Sequence, residues 1–81
     1  MTRQEIHQVL IEEFGPYCWG CNFKAPDPRY LELDHINPKD GKDGYGQHHI
    51  NNRALLCKPC NSEKGNRMTL PQLRRINKQK R

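Results

Sequence analysis

Ile6, Val9, Leu10 and Phe14 recur at the three-to-four spacing of an amphipathic helix. Thr2 and Glu5 form a T-x-x-E capping box ahead of them, and Gly15-Pro16 ends the run. The pattern predicts a helix over residues 3–14 with one apolar face. His7 has no partner at a matching spacing and reads as a surface residue. Tyr30-Leu31-Glu32-Leu33-Asp34 then changes period from three-to-four to two. That alternation predicts a strand with Leu31 and Leu33 toward the core and Glu32 and Asp34 outward. Arg53-Ala54-Leu55-Leu56-Cys57 predicts a second strand, hairpin-paired with residues 30–34. A short helix follows from about Pro59 to Lys64, with Pro59 in its first turn and Gly65 as a left-handed cap. Thr69 caps a last helix that turns Leu70, Leu73 and Ile76 inward and Arg74, Arg75 and Lys78 outward.

Between these elements the chain is polar. Ala25-Pro26-Asp27-Pro28 predicts a turn or extended linker, since two prolines oppose both helix and ladder pairing. Residues 37–51 form a long Gly- and Pro-bearing loop. Asp40 to Gly44 lacks the alternating oxygen ligands and closing Glu of a calcium loop. His48 and His49 sit at the end of this loop as further candidate ligands. On a straight strand Asp34 and His35 point to opposite faces, so the strand is expected to bend or end at this pair.

Only 33% of the residues are apolar, so 81 residues bury little core and call for a staple. Two C-x-x-C pairs supply one: Cys18-Trp19-Gly20-Cys21 and Cys57-Lys58-Pro59-Cys60. Four thiolates from two knuckles fit a closed tetrahedral zinc site, with Gly20 allowing the first knuckle to turn tightly. Disulfides and a redox dithiol are the competing readings. No βαβ pattern surrounds the first pair, which counts against the dithiol. The N-terminus lacks the apolar run of a signal peptide, and no stretch is long enough to span a membrane. A cytoplasmic location follows as an expectation, and reducing conditions there favour metal over disulfide.

The order of the residues from Leu33 to Gly65 carries a further signal. An apolar residue precedes Asp34-His35, a turn-rich loop leads to Asn52, an apolar strand follows, and Cys57-Lys58-Pro59-Cys60-Asn61-Ser62-Glu63-Lys64-Gly65 closes the stretch. Together with the first knuckle, this resembles the HNH nucleases over roughly residues 17–67. His35 matches the first histidine of that pattern and Asn52 its central asparagine. Asn61 stands where many members have the final histidine, a departure shared with the HNH domain of CRISPR RNA-guided effector nucleases.

The resemblance implies a small α+β fold of ββα-metal type. A structural zinc held by the four cysteines would staple it, and an N-terminal and a C-terminal helix would flank it. Residues 1–81 would form one domain, made of the helix 3–14, the core 17–67 and a basic helix and tail 69–81. It also implies an endonuclease that hydrolyses DNA phosphodiester bonds and leaves 5′-phosphate and 3′-hydroxyl ends. A histidine, titrating near ~6.5 in model peptides, can take a proton from water at neutral pH, which suits His35 as general base. Asp34 and Asn61 offer two hard oxygens for Mg2+ or Mn2+. Asn52 would pin the loop that carries the histidine, and Lys64 or Arg67 would hold the phosphate.

Charge adds the partner. Residues 1–40 hold four Lys/Arg and seven Asp/Glu, a net of −3, and residues 41–81 hold ten and two, a net of +8. A zinc bound by four thiolates would lower the overall +5 to +3 and leave the basic half intact. DNA bound through Arg74, Arg75 and Lys78 is one reading of that excess, and a solvated tail is the other. Two rivals to the nuclease stand at this point. A non-catalytic zinc-binding nucleic-acid module would not need Asp34, His35 and Asn61 together. A protein-interaction knuckle leaves the basic half unexplained. The chain could also be one component of a larger nuclease system.

Overall fold

In the computed structural model, residues 1–38 and 50–80 are described. Helix α1 spans Arg3–Phe14, strand β1 Glu32–His35, strand β2 Arg53–Leu56, helix α2 Lys58–Lys64 and helix α3 Leu70–Gln79. The capping box of α1 forms as the sequence predicts. Thr2 Oγ1 accepts from the Glu5 backbone N–H at 3.1 Å, and Glu5 Oε1 accepts from the Thr2 N–H at 2.8 Å. Those Thr2 hydrogen bonds, the backbone one first, hold the Glu5 carboxyl below its ordinary range. A second box, Thr69 with Gln72, starts α3.

The two strands form an antiparallel hairpin with Glu32 opposite Leu56, Leu33 opposite Leu55, Asp34 opposite Ala54 and His35 opposite Arg53. Asp34 and His35 are both paired within the ladder, and the strand ends after His35. All four residues of β2 are buried, including Arg53. Burial pushes the Arg53 guanidinium below its ordinary pKa, Arg3 adds to that, and Asp34 opposes it.

Helix α1 lies against the hairpin through Ile6 and Leu10, and α3 closes the core with Leu70 and Leu73. His7 is not simply a surface group. Its Nε2 lies 2.9 Å from the Leu31 carbonyl and ties α1 to the approach of β1. Phe14, expected on the apolar face, is 55% exposed and meets Trp19 edge-on at 5.2 Å. The helix outruns the small core by a turn, so its last aromatic packs on the knuckle.

Two expectations about local backbone need correction. The prolines at 26 and 28 do not exclude helix, because Pro28 takes the first position of a 3-10 turn over Pro28–Tyr30. Asp27 caps that turn, and the Arg29 guanidinium with the Arg29 N–H lowers its carboxyl to about 2. Gly65 has φ 53 but ψ −148, which is not the left-handed helical cap, although its N–H still reaches the Asn61 carbonyl. Residues 39–49, which carry the sequence readings on Asp40–Gly44, His48 and His49, lie outside the described residues.

Candidate functional site

The four cysteines converge. Their sulfurs all lie within 4.8 Å of one another, with Cys21 Sγ and Cys57 Sγ 3.8 Å apart. A tetrahedral zinc with bonds of about 2.3 Å requires sulfur separations of about 3.8 Å. A disulfide requires about 2.05 Å, and none of the four sulfurs is in one.

The first knuckle is folded for this task. Cys18 N–H donates to the Phe23 carbonyl and Asn22 N–H to the Cys18 carbonyl, each at 2.8 Å. Trp19 N–H donates to the Leu55 carbonyl at 2.8 Å, which hangs the knuckle on β2. The left-handed residue is Asn22, at φ 67, rather than Gly20. Gly20 is needed for another reason. A Cβ there would lie 2.8 Å from Leu73 Cδ2 and 3.1 Å from Cys60 Sγ, so the sulfur cluster fills the space a side chain would take.

The sulfurs sit in contrasting environments. Burial pushes the Cys18 thiol up, but N–H groups of Cys57, Cys21 and Gly20 aimed at its sulfur outweigh this and bring it to about 7. Burial raises Cys57 to about 11 and raises Cys60 as well. The donor set, its spacing and the N–H groups around Cys18 all fit zinc.

A second constellation lies where α2 crosses β1. Glu32 and Asp34, two apart on the strand, share a face, and Asn61 and Lys64, three apart on the helix, meet it. Asn61 Nδ2 donates to Glu32 Oε1 at 3.0 Å. Lys64 Nζ donates to Asp34 Oδ2 at 3.1 Å. The face expected to look outward is therefore covered by α2, and both acidic residues are only part-exposed. Lys64 is 0% exposed, so the ammonium expected to meet a phosphate is held by Asp34 instead. Arg67 remains exposed. Asp34 Oδ1 also accepts the backbone N–H of His35 at 2.7 Å.

Asn52 is locked to the segment after the histidine. Its Oδ1 accepts from the Asn37 N–H at 2.9 Å, and its Nδ2 donates to the Asn37 carbonyl at 3.1 Å. Its own carbonyl accepts from Ile36 N–H at 2.9 Å. One side-chain amide thus bonds to the N–H and the carbonyl of one residue, two positions beyond His35. Leu70 N–H donates to the Ile36 carbonyl at 2.9 Å, so the start of α3 braces the same segment.

Residues 17–67 match the HNH endonuclease family. The chain belongs to the HNH endonuclease family. No curated protein and no solved structure matches the chain. Within the HNH match lie both cysteine pairs, the hairpin, α2 and the Asp34, His35, Asn52 and Asn61 positions. Membership implies a nucleic-acid substrate and nuclease activity. No helix among the described residues is long and apolar enough to cross a membrane.

The HNH pattern in the sequence does not draw attention to Glu32. Its signal is present all the same, as the E-x-D on the strand set against N-x-x-K on the helix. Arg74, Arg75 and Lys78 are exposed along α3. Arg74 Nε donates to the Trp19 carbonyl at 2.8 Å, which fixes the helix to the first knuckle.

Proposed function

We propose that the chain is a metal-dependent endonuclease that hydrolyses DNA phosphodiester bonds, with His35 as general base and Asp34 and Asn61 as ligands of the catalytic cation. The observation that supports this reading is the polar quartet of Glu32, Asp34, Asn61 and Lys64. It is built inside the matched residues and next to a histidine whose loop is anchored by Asn52.

The residues suit a hard cation. A carboxylate only accepts hydrogen bonds, so Glu32 selects the NH2 end of Asn61 and turns the amide oxygen away from itself. Asp34 Oδ1 accepts from the His35 N–H and Oδ2 from Lys64, and a carboxylate has about four acceptor positions in all. Asp34 and the Asn61 oxygen would hold Mg2+ or Mn2+, with water and phosphate oxygens completing the shell. When bound, that ion would polarise the phosphate and stabilise charge on the departing 3′ oxygen. The protein's own part is to hold His35 where it can take a proton from the attacking water. Asn52 sets the segment that follows the histidine, and Glu32 sets the ligand amide. Lys64 offsets the charge of Asp34.

Supercoiled plasmid incubated with the zinc-loaded protein tests the reading. Cleavage should appear on adding Mg2+ or Mn2+ and should leave ligatable 5′-phosphate ends. An inert protein across the full metal series, on single- and double-stranded DNA, would replace the nuclease reading with a non-catalytic zinc-binding nucleic-acid module.

The Lys64–Asp34 pair gives a prediction of its own. Asp34→Ala strands a fully buried ammonium, and breaking such a pair costs about 3–5 kcal/mol. For a chain of this size each kcal/mol moves Tm by roughly 4–8 °C, so the melt should fall by well over ten degrees. Replacing both partners, Asp34→Leu with Lys64→Met, should recover most of that loss. Thermal melts of the single and double variants check it. A single variant that melts like the parent would mean the pair is not held as described.

Arg74, Arg75 and Lys78 are assigned to phosphate contacts on DNA. Neutralising all three should weaken binding on every sequence alike. The log–log salt dependence should flatten by roughly one unit per lost contact. Binding titrations across a salt series decide it, and an unchanged slope returns these side chains to a solvating role.

A further inference from the structure

An open cleft of about 580 Å3 lies between the first knuckle and α3. That size lies inside the range of about 300–1,000 Å3 typical of small-molecule sites. None of His35, Asn52, Asp34 or Asn61 lines it. Among the described residues its walls combine three aromatic rings, Phe14, Tyr17 and Trp19, with two cations, Arg74 and Lys78, and no carboxylate.

The aromatics are presented rather than buried. Phe14 is 55% exposed and Tyr17 37%; Phe23 and Tyr30 are exposed elsewhere, but only Phe14 and Tyr17 stand beside Trp19 and the cations of this cleft. Trp19 is held edge-on to Phe14, with 77° between the ring planes. Its backbone is tied on both sides. Its N–H goes to Leu55, and its carbonyl accepts from Arg74. Asn77 Nδ2 donates to the Gly20 carbonyl at 3.0 Å, which pins α3 to the knuckle a second time. Phe14, Trp19 and Arg74 are thus fixed relative to each other before any ligand arrives. Arg74 Nε is engaged with Trp19, and a guanidinium has four further N–H donors in a planar fork.

We infer that this cleft binds an unpaired nucleotide of the DNA substrate, its base stacked on the aromatic wall and its phosphates held by Arg74 and Lys78. Rings alone would suit any apolar partner, and cations alone any polyanion. The two together, without a carboxylate, are the pattern of single-strand binding surfaces. With zinc bound the four thiolates retain two negative charges beneath the cleft. An uncharged base face over the knuckle, with phosphates at the cationic rim, suits that distribution. A duplex keeps its bases stacked and cannot offer one to the cleft. The substrate class is therefore DNA with an unpaired stretch, such as a single strand, flap or junction. This rests on the nuclease reading but is tested without cleavage.

Trp19 is the only tryptophan in the chain and reports directly. The zinc-loaded protein, with no added Mg2+ or Mn2+, is titrated with a twelve-residue oligothymidylate, the matching blunt duplex and inorganic polyphosphate. The single strand should quench and shift Trp19 emission and bind about tenfold tighter than the duplex. Polyphosphate should leave the emission unmoved. Tyr17→Leu keeps the apolar bulk of an exposed position but removes the ring. It should weaken the single strand about tenfold and leave duplex binding unchanged, with circular dichroism like the parent's. Unmoved emission at saturating oligothymidylate, equal quenching by polyphosphate, or equal loss on both DNA forms in Tyr17→Leu each overturns the base-stacking site. Cleavage of a single-stranded or flap oligonucleotide after Mg2+ or Mn2+ is added to the same protein shows separately whether the nuclease reading stands.

Discussion

Cys57→Ser is expected to unfold the protein. The buried apolar cluster is small and is built partly from the cysteines, since Cys18, Cys57 and Cys60 sit among Ile6, Leu10, Leu31, Leu55, Leu56 and Leu73. Structural zinc contributes about 10–16 kcal/mol in apparent binding free energy near neutral pH. Whole small proteins are stable by only about 5–15 kcal/mol. Removing one thiolate from four therefore removes a quantity of the order of the total. The same loss should follow in the parent when a strong chelator strips the metal. Burial raises the Cys57 thiol to about 11, so its proton must leave for zinc to bind. Acidification should accordingly favour zinc release. Circular dichroism with bound-zinc analysis reads both effects. A Cys57→Ser protein that keeps its spectrum and melts with the parent would end the structural-zinc assignment.

The elements that read clearly in the sequence are those fixed by neighbours along the chain. The Thr2–Glu5 capping box, the Thr69 cap and the cysteine spacing read from short stretches of chain, and the structure reproduces them; the hairpin forms too, with its first strand at 32–35 instead of 30–34. The family pattern draws attention to Asn52, whose side chain bonds to Asn37 in the structure. What stayed hidden depends on which element covers which face. Alternation on β1 separates Glu32 and Asp34 from Leu33, but it does not say that α2 lies over the acidic side. Hence Lys64 reads as a phosphate ligand and is a buried partner of Asp34. Gly20 reads as a turn residue for a similar reason. Its need for no side chain comes from Leu73 and Cys60, both distant in sequence. Arg53 opens an apolar run, and only the packing shows it buried within one.

His35→Ala is expected to abolish cleavage while the fold, the zinc and most DNA binding persist. A positioned general base is typically worth about a hundred- to ten-thousand-fold in rate. His35 closes the ladder at an edge opposite Arg53, and its backbone N–H, which the substitution keeps, makes the bond to Asp34. Asn61→Ala is expected to fail differently. It removes the amide that Glu32 orients, so activity should fall through weaker occupancy by the catalytic cation. Excess Mg2+ or Mn2+ should then restore part of the rate by mass action. The same excess should leave His35→Ala inactive, since no added ion replaces the lost base. Asn61→His exchanges an oxygen donor for a nitrogen and should shift preference from Mg2+ toward Mn2+, Ni2+ or Zn2+. Plasmid cleavage across a metal titration for the parent and these three variants separates the roles. Equal rates for His35→Ala and the parent would remove His35 from the chemistry. Identical metal curves for the parent and Asn61→Ala would remove Asn61 from the cation.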